Sequence, residues 1–270
     1  MRVLLTNDDG IEAAGLQALR RALLEVPDVD LQVVAPDGNR SAMARSITTR
    51  RPLWVKRVDF ADGTVGYATD GTPVDCVRLA QLGLVAEGWK PELIVSGINH
   101  GSNLGDDITY SGTVAAALEG ILLGIPGVAV SQQSGGLELD FRAPGTFDFT
   151  VSAGFTARLV AELESLPLAP ATLLNINVPG RTPTGVTVAR LGKRVYRDEL
   201  ALVKEEDGSR QYRIYGDAGY DEEETGTDLA AVAAGQIALT PLHLDLTHHT
   251  GIQTLAGHDL NRLLADLTGS

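Results

Sequence analysis

The stretch that most restricts the fold lies at the N-terminus. Val3, Leu4 and Leu5 form an uninterrupted apolar run, the kind that suits a strand buried on both faces. The run stops at Thr6-Asn7-Asp8-Asp9-Gly10. Between Ala14 and Leu24, Leu16, Leu19, Leu23 and Leu24 then recur at helical spacing. Pro27 and Asp28 end that helix. Leu31 to Ala35 is again a short apolar strand, with Pro36-Asp37-Gly38 as its exit turn. Strand, helix, strand is the opening of an open parallel α/β sheet. Ligands of such sheets gather outside the C-terminal strand ends, where Asp8, Asp9 and the loop from Asp37 fall. Two adjacent carboxylates at a strand end repel each other. Either a bound cation offsets that repulsion, or the pair is simply a solvated turn closed by a glycine.

The rest of the chain extends this scheme. Leu53 to Phe60 and Thr64 to Thr69 read as a two-stranded excursion around Asp62-Gly63. Gly71-Thr72-Pro73 leads into a helix carrying Val74, Val77, Leu79 and Leu82, in which Cys76 is a small apolar residue. Leu93 to Val95, Val128 to Ser131 and Leu173 to Val178 read as short strands, and Thr150 to Leu163 as a helix. Asn175 and Asn177 depart from a plain core strand and suggest the bracing of a site or a bend. The texture changes near Thr182. Residues 186–215 alternate imperfectly, carry Tyr196, Tyr212 and Tyr215, and read as a β-rich arm or hairpin. Gly219 to Asp228 is acidic and reads as a solvated loop. Thr227-Asp228 starts a helix through Ala233, with Asp228 as a reasonable cap. Ile237 to Leu239 is extended, and 252–267 reads as an amphipathic helix led by Ile252, Leu255, Leu260, Leu263 and Leu264. The expected organisation is an α/β core over 1–180, a β-rich arm with an acidic loop over 181–228, and a segment over 229–270 that returns to the core or packs on a partner subunit.

Charge and composition narrow the function. The chain carries 35 acidic against 22 basic residues, a net charge of -13. It has no basic block, which argues against nucleic-acid polymers as partners. A small phosphorylated substrate stays open, because a metal reverses the field locally. Arg40, Arg45, Arg50 and Arg51 cluster in the loop 39–51. They either complement a substrate phosphate or neutralise acidic surface. With one cysteine, Cys76, the chain forms neither an intrachain disulfide nor a cysteine-cluster metal site. No apolar run is long enough to span a membrane and no secretory leader pattern precedes the first strand, so a cytoplasmic protein without a membrane partner is expected. His243, His248 and His249 do not form a helical HExxH pattern; whether His243 and His248 group with Glu222 in space stays open.

The densest irregular stretch is 96–120, SGINHGSNLGDDITYSGTVAAALEG. Its glycine-rich loop feeds a helix that begins at Ser111-Gly112-Thr113. Free backbone N–H groups there, with the Ser111 and Thr113 hydroxyls, form a cradle for a phosphate. Ordinary N-capping explains one hydroxyl but not the long approach. Three polar sites thus follow successive strands: Asp8-Asp9, Asn39 to Ser41, and Asn99. Such oxygen donors suit magnesium or manganese better than a thiolate-selected metal.

These stretches together identify a resemblance. LLTNDDG at 4–10, APDGNRS at 35–41, the 96–120 stretch, LLNINVP at 173–179 and TDLAAVAAGQIALTPL at 227–242 resemble, in order, the SurE (survival protein E) family of metal-dependent 5'-nucleotidases. The resemblance implies a Rossmann-like open, mostly parallel sheet flanked by helices, with a C-terminal β-rich arm used in oligomerisation. It implies one divalent cation per subunit, Mn2+ or Mg2+, held by Asp8, Asp9, Ser41 and Asn99. Asp8, Asp9 and Asn99 are then the catalytic residues, and Asn99, Ser111, Gly112 and Thr113 bind phosphate. Asn39, Arg40, His100 and Tyr110 are candidate substrate contacts. The family usually has a small residue where this chain has His100, which either alters local packing or supplies a donor near the phosphate. Tyr110 either stacks on a base or packs beneath its loop. The implied reaction is release of phosphate from nucleoside 5'-monophosphates by a metal-associated water, in a homodimer or homotetramer. Attack by Asp8 or Asp9 through an aspartyl-phosphate is the rival mechanism. A broad phosphomonoesterase or exopolyphosphatase, and a nucleotide or phosphate sensor without turnover, are the other readings.

Overall fold

The computed structural model describes residues 1–136, 145–196, 200–214, 218–220 and 224–263. The N-terminal strand β1 (Arg2–Thr6) runs into helix α1 (Ala14–Leu24) and strand β2 (Asp30–Pro36), and the two strands pair in parallel with Val3 opposite Leu31. Then follow β3 (Val55–Asp59), β4 (Val65–Thr69), α2 (Pro73–Gln81), β5 (Leu93–His100), α3 (Gly112–Leu122), β6 (Gly127–Gln132), α4 (Thr150–Glu162) and β7 (Leu173–Val178). The C-terminal third holds β8 (Val186–Val188), β9 (Arg194–Tyr196), β10 (Ala201–Glu206), β11 (Ser209–Arg213), β12 (Ala218–Tyr220), α5 (Asp228–Ala233), β13 (Ile237–Leu242) and α6 (His249–Ala256).

Nine strands form one sheet in the order β3-β4-β2-β1-β5-β6-β7-β13-β8. From β4 to β7 every neighbour is parallel, and antiparallel pairing occurs at β3 and at β13. β1 lies between β2 and β5. From it the chain builds one half of the sheet toward β3 and the other toward β7, which opens a crevice at the C-terminal end of β1.

The pleat sorts the apolar run of β1 onto two faces. Val3 and Leu5 pack with Leu16, Leu19 and Leu23 of α1 and with Ala153 and Val160 of α4. Leu4 turns the other way, against Cys76, Val77 and Ala80 of α2 and Ala116 of α3. A three-residue run therefore stitches both layers. Cys76 is buried and its thiol is pushed up, chiefly by desolvation, so it packs as an apolar residue.

The structure corrects several boundaries. β3 and β4 are not a separate excursion, because β4 pairs in parallel with β2 and the hairpin extends the main sheet. β5 continues beyond Val95 to His100, with an irregular register against β6 between Ser96 and Asn99. Asn99 is thus delivered by a strand end rather than by a loop. β13 includes Pro241, which lies past the last β8 pair at Leu239, so one side of the strand is open there. The helix expected over 252–267 is interrupted: α6 spans His249–Ala256 and buries no residue. Leu260 and Leu263 lie beyond it, and Leu264, Tyr215 and Glu222 fall outside the described residues. The helix α5 is capped by the Thr227 hydroxyl, which accepts the Ala230 N–H at 3.1 Å, and Asp228 is its first helical residue. Among the described residues no helix is long and apolar enough to cross a membrane.

Candidate active site

The site forms where the ends of β1, β2 and β5 meet the start of α3. Asn7 stiffens the turn after β1: its side chain accepts the Gly10 N–H at 3.2 Å and donates to the Gly10 carbonyl at 2.9 Å. Asp8 then points inward and is 3% exposed. Its carbonyl accepts the Arg40 N–H at 2.6 Å, which ties the loop after β2 to the end of β1. One carboxylate oxygen, Oδ1, accepts a short hydrogen bond from the Thr113 hydroxyl on α3. The other side of the carboxylate faces Gly112, where an added Cβ would lie 2.8 Å from both the Asp8 Cβ and Oδ2. Only glycine lets the helix start come this close to the acid.

Asp9 collects the other two strand ends. Its Oδ2 accepts the His100 N–H at 3.1 Å, and the Asn39 amide reaches its Oδ1 at 3.5 Å. The Asn39 amide oxygen also accepts the Ser41 N–H at 2.7 Å, which bends the loop so that Ser41 follows close behind. Asn99 donates its amide N–H to the Gly101 carbonyl at 2.8 Å, so its amide oxygen remains for a ligand. The segments carrying all four expected ligand residues thus converge on the Asp8-Asp9 pair.

Electrostatics make this pair costly without a counter-charge. Burial first, and then the neighbouring Asp9 charge, push the Asp8 carboxyl up to about 6, while the Thr113 hydroxyl pulls the other way. Opposite Asp8, α3 presents its free N-terminal N–H groups and positive dipole end. Ser111 caps that helix, its hydroxyl accepting the Val114 N–H at 3.1 Å. A hydroxyl that accepts still has its own proton to donate. Thr113 differs, because its proton is already committed to Asp8.

The expected substrate contacts separate by position. Arg40 reaches the site through its main chain, whereas its guanidinium pairs with Asp37 at 2.6 Å. Arg45 pairs with Glu119 at 2.7 Å and Arg51 with Asp70 at 2.5 Å, so these three arginines neutralise acids. Glu119, on α3 and 1% exposed, also takes Arg78 at 2.5 Å. This buried acid fastens the 39–51 loop to the phosphate-side helix. His100 places Nδ1 3.5 Å from Asp9 Oδ2, and its ring packs against Phe147 and Phe149, each with centroids 5.1 Å away. Tyr110 is 58% exposed, and its carbonyl accepts the Ala44 N–H at 3.2 Å, so its ring is not packed beneath the loop. The C-terminal histidines lie elsewhere in local turns, with His249 Nε2 2.8 Å from Asp245.

Sequence reasoning passed over Asn103, the anchor of the glycine-rich loop. Its N–H donates to Asn177 Oδ1 at 2.8 Å and its amide to Ser131 at 2.8 Å, while its carbonyl accepts from Asn175 at 3.0 Å and Asn177 at 2.9 Å. The asparagines of β7 were the visible signal of a brace. Phe147 and Phe149 left only a pair of aromatics beside a glycine-bearing segment.

Comparison with known proteins agrees with this geometry. The family model described as Survival protein SurE matches residues 3–198. The 5'-nucleotidase SurE of Rubrobacter xylanophilus is 51% identical over 267 residues, 98% of this chain and 99% of the relative. That of Chloroflexus aggregans is 45% identical over 258 residues, 94% of this chain and 98% of the relative. Among solved structures, the SurE protein from Aquifex aeolicus superposes with a TM-score of 0.78 at 36% identity, covering 94% of this chain and 98% of that one. The chain belongs to the SurE family.

Proposed function

We propose that the protein is a divalent-metal-dependent 5'-nucleotidase that releases phosphate from nucleoside 5'-monophosphates. The observation that carries this reading is the contact of a buried acid with a helix start: Asp8 holds Thr113 and lies against Gly112 at the N-terminus of α3. A cation side and a phosphate side are thereby joined. The relatives named 5'-nucleotidase SurE match over nearly the whole chain.

The residues fit a hard cation. Among the described residues no group of three or more His, Cys, Asp and Glu gathers, so two carboxylates need neutral oxygen donors beside them. Asp8, Asp9, the Ser41 hydroxyl and the Asn99 amide oxygen form such a set, for one Mn2+ or Mg2+ per subunit. When bound, the cation supplies Lewis-acid polarisation of the phosphoryl group and lowers the pKa of coordinated water. The protein's own groups do the positioning. The Gly112 and Thr113 N–H groups and the Ser111 hydroxyl donate to phosphate oxygens and stabilise charge that grows in the transition state. Thr113 keeps Asp8 oriented, and the His100 N–H orients Asp9. Asn99 would serve both sides, its amide oxygen as a cation ligand and its amide NH2 toward the reacting phosphate. A water attacks phosphorus as the bond from phosphorus to the ribose 5'-oxygen breaks, and a proton lost by the water ends on that oxygen, giving phosphate and the nucleoside 5'-hydroxyl.

The enzyme acts as a homodimer or homotetramer built through 181–228 and 229–270. Support comes from apolar residues left bare there: Leu202 and Val203 on β10, and Ile252 and Leu255 on α6. Phosphate release from nucleoside monophosphates, simple phosphomonoesters and polyphosphate, with and without chelator, tests the function. Chelator-sensitive turnover of monophosphates is expected. Binding without turnover turns the protein into a sensor, and a preference for polyphosphate or simple esters overturns the nucleotide assignment.

A further inference from the structure

One carboxylate, distant in sequence, grips the loop that feeds the phosphate side. Asp228 is fully buried at the start of α5. Its Oδ2 accepts the Gly105 N–H at 2.8 Å, and its Oδ1 accepts the Gly192 N–H at 2.8 Å and the Leu229 N–H at 2.9 Å. Charge-assisted bonds of this kind are the strong ones, and here each oxygen serves a different segment. Gly105 has φ +52°, and a Cβ there would lie 2.7 Å from the Gly192 carbonyl oxygen. Two main chains therefore touch, with one carboxylate closing the contact.

The bond to Gly105 does nothing for α5 itself. Thr227 already caps that helix, and Leu229 takes Oδ1. What Gly105 begins is a single 3-10 turn, Gly105–Thr109, followed by Tyr110 and then Ser111-Gly112-Thr113. Upstream, Asn103 is already fixed to β6 and β7 through Ser131, Asn175 and Asn177. On its other side Asp228 belongs to the root of the β arm: its N–H donates to the Arg190 carbonyl at 2.9 Å, beside the bridge between Arg190 and Thr227.

We propose that Asp228 is a positioning residue for phosphate binding, holding Gly105 so that the 3-10 turn delivers Ser111 and Gly112 to Asp8, and linking that pocket to the root of the arm. The inference rests on the reading of Ser111 to Thr113 as the phosphate cradle. It separates positioning from stability, because the cap and the bracket lie on neighbouring residues.

The test compares Asp228→Asn with Thr227→Ala. The amide keeps the shape of the carboxylate but has one acceptor oxygen, which saves two bonds by staying with Gly192 and Leu229 and so turns its NH2 donor against the Gly105 N–H. Asp228→Asn is expected to raise both the KM for a nucleoside 5'-monophosphate and the inhibition constant of inorganic phosphate about tenfold. Half-saturation by Mn2+ should stay within about twofold of wild type, the result for a loop displaced on the phosphate side only. Hydrogen exchange over 106–113 should quicken. Thr227→Ala should lower the melting temperature and leave KM and loop exchange unchanged. Gly105→Ala keeps the N–H but forces the same contact apart from its other side, through its Cβ against the Gly192 carbonyl and the positive φ, and it replaces Asp228→Asn if that variant does not fold. A folded Asp228→Asn with unchanged KM, phosphate inhibition and loop exchange overturns the proposal. So does an equal rise in KM for Thr227→Ala. A wild type that neither turns over monophosphates nor binds phosphate overturns the underlying site reading, and is distinguished by failing before any variant is compared.

Discussion

The parallel sheet and the C-terminal arm are built on opposite terms. In the sheet, every residue of β6 and β7 is buried, and Asn177 is paired on both sides of its amide with Asn103, although Gln132 Oε1 and Asn175 Oδ1 are buried without a partner among the described residues. In the hairpin of β10 and β11, every residue is exposed, and α6 buries nothing. Yet Leu202, Val203, Ile252 and Leu255 are as apolar as residues of the core. A two-stranded hairpin of this kind is marginal alone in water. The sheet is a structure that one chain completes. On the homo-oligomer proposed above, the arm is the part that a second copy completes, since exposed apolar side chains are what such an interface would cover. If the proposed function is right, catalysis depends on the first region and assembly on the second, so perturbations of the two should come apart.

The sharpest break in that comparison is Asp8→Asn. Phosphatase activity should fall by more than about a hundredfold, beyond what residues behind a metal ligand usually cost, while the oligomer stays intact by light scattering. Stability should move the other way. Because burial and Asp9 raise the Asp8 carboxyl from 3.8 to about 6, the fold holds this proton more tightly than the unfolded chain does. The resulting destabilisation is absent below about 4 and complete above about 6, on the order of 3 kcal/mol. In chelator, melting temperatures should therefore favour Asp8→Asn over wild type at pH 8, with the gap closing toward pH 4. A gap that does not change with pH would refute this account. Gly112→Ala comes next. Its Cβ must displace Asp8 or the helix start, and a shift of about 1 Å in such a site costs on the order of a hundredfold in rate. Steady-state kinetics at saturating Mn2+ checks it.

How much of this was legible in the sequence follows the same division. The inner strands and α1 were readable because a two-sided burial run and helical spacing are local signals, and Val3 to Leu5 and Leu16 to Leu23 carry them without help. The acids at the end of β1, the capped start of α3 and the braces Asn175 and Asn177 were visible as polar residues out of place. The pairing of β4 with β2 was not, since a hairpin's own residues do not say whether a third strand lies beside it. Asp228 was read both as the end of a solvated acidic run and as the cap of the helix after it; the helix start was legible, but its burial was not, because burial and not composition distinguishes it from Glu224. The continuity of α6 past Ala256 was overread, because Ile252, Leu255 and Leu260 repeat helically although α6 buries no residue among those described and is capped at Gly257.

The arm side of the comparison is broken by Leu202→Glu together with Ile252→Glu. Both side chains are more than half exposed in the single chain, at 52% and 55%, so the core should melt within a few degrees of wild type. A charge buried in an interface is costly, however. The assembly should weaken by about tenfold or more in dissociation constant, seen as a concentration-dependent shift to monomer in sedimentation. Unchanged sedimentation would show that these faces do not meet a second copy.

The smallest expected effect sharpens the phosphate side alone. The Ser111 hydroxyl accepts from Val114, and Ser111→Ala removes both this cap and the proton offered to phosphate. Loss of the cap costs about 1 kcal/mol of stability, and loss of the phosphate contact raises KM several-fold, on the order of one neutral hydrogen bond. Ser111→Gly separates the two, because glycine at an N-cap costs only a few tenths of a kcal/mol relative to serine but donates nothing from a side chain. If Ser111→Gly restores the melting temperature while KM stays high, the hydroxyl serves substrate as well as helix. If both recover, Ser111 is a cap alone, and the cradle consists of the Gly112 and Thr113 N–H groups at the end of the helix dipole.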